Sequence, residues 1–221
     1  MPFLSDDLKR FLKDNYFSIC VYICVIAGIL PLVYLHKYTI NVWVNAKIAN
    51  YPTDSFFIFY TNIFQGYIHA LTILVFAFIS RRKFFLFLVQ AVLVGVLVYI
   101  LKDVVFGNIP RPTRLLGYDA FTHLLKNYKI YKEGYSFPSG HTMSAFAVLS
   151  MFSYMRKSRA LQVGLFALAS LAAFSRIYLL QHFFIDIYFG MIIGFLTTII
   201  TVKILDQFRV SEKPLLGCCR V

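Results

Sequence analysis

Residues 16–35 make a run of 20 without a single charged side chain. A helix needs about 20 apolar residues to cross the hydrocarbon of a bilayer. Within hydrocarbon every backbone N–H and C=O has to be satisfied inside the protein, which leaves helices or a closed barrel. An unbroken apolar run, as opposed to an alternating one, selects the helix. Further runs follow at about 56–80, 84–101, 138–155, 160–180 and 182–205. The chain is 59% hydrophobic and 14% charged, with mean hydropathy +0.70, whereas a soluble domain carries about a quarter charged residues. These runs predict an all-α protein: one domain over residues 1–221, a bundle of six transmembrane helices.

What lies between the runs sets the orientation. Residues 1–15 predict an amphipathic interfacial helix. Ser5 is its cap, Leu4, Leu8, Phe11 and Leu12 share one face, and Lys9, Arg10 and Lys13 surround it, a pattern suited to an anionic membrane surface. The first run is long for a signal-peptide core and no small-x-small site follows, so it is read as retained. Residues 36–55, with Trp43, read as an interfacial loop or helix. Six crossings would put both termini on one side, together with Arg81-Arg82-Lys83 and Arg156-Lys157-Ser158-Arg159. The positive-inside rule makes that side the cytoplasm, and it would also receive Cys218 and Cys219. Residues 107–137 then form an extracytoplasmic loop. The net charge of +12 is accounted for by these turns and by anionic lipid. No basic stripe with interleaved aromatics suggests nucleic acid. Cys20, Cys24, Cys218 and Cys219 have no zinc-site spacing; the last pair is open to acylation or remains as thiols.

Against this apolar background the ionisable residues stand out, because such groups are costly at membrane depth and mark function by default. His182 and Asp186, four residues apart, would share a helical face. A carboxylate on one imidazole nitrogen fixes the tautomer and leaves the other nitrogen to act as base or nucleophile. A turn after Arg176 would bring its guanidinium to the same place. The six-span topology adds Lys102, Arg111-Pro112 and Pro138-Ser139-Gly140-His141 at that face. A proline-opened helix start points N–H groups at an anion, Gly140 allows close backbone approach, and Ser139 adds a hydroxyl. Three cations and two histidines suit phosphoryl transfer, and no carboxylate cluster points to a metal. Each motif alone has a blander reading: a helix cap, a structural His-Asp pair, a snorkelling cation. Their coincidence on one face favours the chemistry. Asn62, Gln65 and His69 in the second run either line a cleft or make interhelical hydrogen bonds.

Lys102…Arg111-Pro112, Pro138-Ser139-Gly140-His141 and Ser175-Arg176-x5-His182-x3-Asp186 together resemble the three signature motifs of the type 2 phosphatidate phosphatase superfamily, relatives of acid phosphatases and vanadium haloperoxidases. Residues 103–110 separate Lys102 from Arg111, about two more than that family usually has, so a longer segment has to return Lys102 to the phosphate. The resemblance implies a metal-independent membrane lipid phosphatase without cofactor. His182 would attack phosphorus and become phosphohistidine, with Asp186 orienting it. His141 would protonate the leaving group and then activate water. Lys102, Arg111, Ser139, Gly140 and Arg176 would bind phosphate, and Arg114 either reaches a lipid headgroup or lies on the surface. The implied substrate is a lipid phosphate or diphosphate: lipid A phosphate, undecaprenyl diphosphate, phosphatidate or phosphatidylglycerol phosphate. The implied place is a bacterial inner (plasma) membrane with the site on its periplasmic face. A lipid phosphotransferase with the same site and a non-enzymatic lipid transporter are the alternatives; the intact His141, His182 and Asp186 weigh against the transporter.

Overall fold

The computed structural model describes residues 5–48, 51–116, 135–208, 210, 213, 215 and 216. Leu4, Cys218, Cys219 and the middle of the 107–137 loop lie outside them. α1 (Asp6–Asp14) starts where the Ser5 hydroxyl accepts the Leu8 N–H. Its apolar face, expected against lipid headgroups, packs instead on the end of the bundle. Leu8 and Phe11 are buried, and the Phe11 ring lies 5.6 Å from the rings of both Tyr154 and Phe195. Those aromatic contacts take up the surface that a lipid interface would have used.

α2 (Tyr16–Ala27) and α3 (Ile29–Tyr34) together make the first apolar run, with a turn at Gly28. α4 (Thr39–Ile48) follows. The second run, expected as one helix, is two: α5 (Tyr51–Ile63) and α6 (Tyr67–Ile79), bent by 48°. The break falls at Gly66, whose φ of 98° is left-handed, a conformation glycine reaches without a Cβ clash. α7 (Arg81–Tyr99) begins where Ser80 accepts the Lys83 N–H and runs into a π-helical turn, Ile100–Val105. α8 (Pro112–Leu116), α9 (Gly140–Tyr154), α10 (Arg159–Tyr178) and α11 (Phe184–Asp206) complete the chain.

Four described helical segments are long and apolar enough to cross a membrane, Tyr16–Tyr34, Arg81–Val105, Arg159–Tyr178 and Phe184–Asp206, and the bent α5–α6 pair makes up to five. The expected fourth span, 138–155, is α9, whose 15 residues reach about 22 Å at 1.5 Å each. Its length is not set by lipid. Every residue from Thr142 to Met151 is buried beneath α7, α10 and α11.

Two devices hold α9 there. Gly190 and Gly194 face it from α11: a Cβ at Gly194 would collide with the Met143 carbonyl, and one at Gly190 would lie 3.0 Å from the Ser139 carbonyl. This small-x3-small pair allows the backbones to meet, as in membrane helix interfaces generally. Gln90 of α7 donates to Ala147 O at 3.0 Å and to Thr198 Oγ1 at 2.8 Å, and Ser150 lies 2.6 Å from Thr198. Three helices are thus joined by side-chain hydrogen bonds at mid-height. The basic segments collect at the far end of α9, where Arg82 pairs with Asp206 at 2.8 Å and Arg159 stacks over Tyr16.

Gly194→Leu should push α11 off α9 and destabilise the protein by about 1–3 kcal/mol, the usual cost of overpacking. Gly164→Leu should cost little, since nothing lies within 4 Å of a Cβ there. Thermal unfolding of both variants in detergent checks the difference.

Candidate active site

The N-terminus of α11 organises the site. Asp186 lies in its first turn, and one carboxylate oxygen, Oδ2, accepts the Phe183 N–H at 2.9 Å and the Ser136 hydroxyl. The same oxygen is 3.3 Å from His182 Nδ1. His182 therefore sits before the helix rather than on it, and Asp186 reaches back to it. The Asp186 carbonyl accepts the Ser139 N–H at 3.0 Å, which ties the start of α9 to the start of α11. With Nδ1–H donated to Asp186, Nε2 carries the lone pair.

The turn that carries His182 is held from several directions. Gln181 and His182 both donate backbone N–H to the Arg176 carbonyl, at 3.0 and 3.2 Å. Leu180 adopts φ 54°, a strained value of the kind found near functional sites. Asn41 donates to the carbonyls of Ile177 at 3.3 Å and His182 at 3.0 Å, and Asn45 donates to Tyr178 O at 2.9 Å. These two asparagines satisfy carbonyls that the end of α10 would leave open. Tyr178 OH bonds Asp54 and, at 2.6 Å, Thr53. The sequence does not single out Asn41 or Asn45, and it offers Thr53 and Asp54 only as cap candidates for the second run. The signal available was the i, i+4 spacing of Asn41 and Asn45, which puts both amides on one face of α4.

A cavity of about 510 Å³ opens beside His182. Lys102, Arg111, Gly140, His141 and Arg176 all line it. The π-turn Ile100–Val105 carries Lys102, and this wide turn takes up part of the extra length between Lys102 and Arg111. Lys102 Nζ donates to Tyr135 O at 2.8 Å, and Arg111 Nη2 reaches the same carbonyl at 3.5 Å. Arg111 Nη1 also donates to Gln181 O at 3.0 Å and lies 3.5 Å from His182 Nε2. Arg176 is buried and donates to Thr61 Oγ1 at 2.8 Å. The charged residues on the described cavity wall are these three cations.

Two of the expected phosphate-binding residues are placed differently from the rest. Ser139 is the N-cap of α9; its Oγ accepts from Thr142 N at 3.4 Å and Thr142 Oγ1 at 2.9 Å, and it is absent from the cavity wall. Gly140 does line the wall, where a Cβ would meet Val98 at 3.5 Å and Lys102 Cε at 4.0 Å. Its missing Cβ leaves this part of the wall open. Arg114 is exposed on α8, away from the cavity wall.

Burial, reinforced by the charges of Arg111, Lys102, Arg176 and His141, holds the His182 ring well below the ordinary histidine range. The sign follows directly: a depressed pKa keeps the imidazole neutral as pH falls, until pH passes below the lowered value. In ¹³C-histidine NMR the His182 resonance, assigned by its loss in His182→Gln, should keep its neutral shift at pH values where an ordinary histidine is already protonated. Titration near 6.5 would show a ring not enclosed in this way.

The geometry can be set beside known proteins. The family model of the PAP2 superfamily matches residues 83–209, a segment that holds Lys102, Arg111, Ser139, Gly140, His141, Arg176, His182 and Asp186. The crystal structure of Aquifex aeolicus LpxE is similar, with a TM-score of 0.60 and 29% sequence identity, over 76% of this chain and 94% of that one. No curated protein matches the chain. With more than half of its length matched by the family model and its three motifs converging on one cavity, the chain belongs to the PAP2 superfamily, that of the type 2 phosphatidate phosphatases.

Proposed function

We propose that this protein is a membrane lipid phosphatase working through a phosphohistidine. The observation that carries the reading is the His182 ring, with Nδ1 against Asp186 and Nε2 beside Arg111 at the cavity. Lys102, Arg111 and Arg176 would bind the phosphate oxygens, and three cations suit the charge of the phosphoryl transition state. Gly140 contributes at the start of α9, where helix N–H groups favour an anion, and Ser139 contributes as the cap that shapes that turn. Nε2 of His182 attacks phosphorus and forms a P–N bond as the P–O bond to the lipid breaks. His141 gives its proton to the departing oxygen. It then takes a proton from water, which attacks phosphorus, breaks the P–N bond and releases inorganic phosphate. Asp186 stabilises the ring while it is positively charged. These roles are filled by groups of this chain, so the reaction is proposed to need no metal.

The same proposal gives the protein six crossings, with α9 as the short inner one. It puts the cavity on the outer face of a bacterial inner membrane, opposite the basic turns Arg81-Arg82-Lys83 and Arg156–Arg159. Its substrate is a lipid phosphate or diphosphate.

The test is release of phosphate from purified lipids: phosphatidate, phosphatidylglycerol phosphate, undecaprenyl diphosphate and lipid A phosphate. At least one should be hydrolysed, with activity kept in EDTA and inhibited by vanadate. Lys102→Ala should slow the reaction by about 10²–10³-fold, as expected for a transition-state donor. Complete loss in EDTA, restored by zinc or magnesium, would refute the mechanism. In sealed right-side-out vesicles an impermeant short-chain substrate should be hydrolysed without permeabilisation; hydrolysis only after opening the vesicles would reverse the orientation.

A further inference from the structure

The cavity continues well beyond the residues used above. Its wall follows α7 from Lys102 back to Ala91, eleven residues or about 16 Å of helix. Along that length the α7 wall is small and apolar, with Ala91, Gly95 and Val98. Gln65 and His69, delivered by the bend between α5 and α6, line the same cavity. His69 is 7% exposed, and among the described residues neither ring nitrogen has a hydrogen-bond partner. A buried imidazole with both nitrogens unsatisfied costs free energy unless something binds it.

What would satisfy it follows from the donor set. A neutral imidazole offers one donor and one acceptor, and the Gln65 amide offers both kinds as well. The three cations that line the cavity are already assigned to the reacting phosphate, and among the described residues no further Lys or Arg lines it, so it does not suit a second phosphate. It suits a neutral oxygen- or nitrogen-bearing group of the same lipid whose phosphate the cations hold. We propose that Gln65 and His69 form a specificity subsite for the ester, amide or hydroxyl groups that join a lipid's phosphate to its acyl chains. A polyprenyl phosphate, hydrocarbon from its first carbon, leaves those groups unpaired and is disfavoured. The proposal rests on the phosphatase reading of the cavity and selects acyl-linked lipid phosphates within it.

The probes are dioctanoyl phosphatidate and farnesyl phosphate. In the His182→Ala variant, where turnover is blocked, the ring signal of His69 should shift on adding dioctanoyl phosphatidate and stay unchanged with farnesyl phosphate. The signal is assigned by its loss in His69→Gln. In turnover, the ratio of kcat/KM for phosphatidate over farnesyl phosphate should fall about tenfold in His69→Phe, since a buried polar group left unpaired costs on the order of 1–3 kcal/mol. His69→Gln, which keeps a donor and an acceptor, should retain most of the ratio. An equal shift with both lipids, or none with either because water satisfies the ring, would overturn the subsite. Absence of phosphate release together with a phosphatidate-specific shift would instead refute the phosphatase reading and leave the subsite standing.

Discussion

Asp186 is the group on which the rest depends. Its carboxylate caps the first turn of α11, takes the Ser136 hydroxyl and orients His182, while its own carbonyl fixes the first residue of the α9 cap. Removing the carboxylate would leave several buried donors unsatisfied at about 1–3 kcal/mol each. A carboxylate shared among so many donors is also a means of alignment. His182, the start of α9 and the start of α11 cannot move independently while it is in place.

That local knot needs two long helices brought unusually close. In a bilayer the hydrophobic effect does not drive helices together, so close packing and interhelical hydrogen bonds have to do it. Gly190 and Gly194 supply the closeness, and Gln90, Ser150 and Thr198 supply the bonds. The short α9 is the consequence. Wrapped on several sides, it can be cut to the length that carries His141 to the cavity, with no lipid thickness to match.

Much of this was legible in the sequence. Charge-free runs named the helices, and the Lys, Arg and His residues interrupting them named the cavity wall. Three things were not legible. The break at Gly66 leaves no separate mark, because Asn62, Gln65 and His69 around it read equally well as cleft-lining or hydrogen-bonding residues of one unbroken helix. The burial of α1 depends on Phe195, far away in the chain, so a local amphipathic pattern could not distinguish protein from lipid as its partner. Asn41 and Asn45 act on carbonyls of α10 and its turn, and no local pattern reveals a partner so distant. The Gly190-x3-Gly194 spacing was readable, since small residues four apart in an apolar run are an interface signature. The second use of Ser139 was hidden for a different reason: its side chain caps α9, a role that the phosphate-binding motif conceals.

The central claim is that His182 becomes covalently bonded to phosphorus, and trapping that bond tests it most directly. A substrate whose leaving group needs no proton, labelled at phosphorus, is mixed with His141→Ala and quenched. Label should remain on the protein in base, be lost in acid as a phosphoramidate is, and map to His182. Asp186→Asn should acquire it slowly, because an amide does not stabilise the charged ring. His182→Ala should acquire none; stoichiometric acid-labile label on that variant would contradict the assignment of the nucleophile.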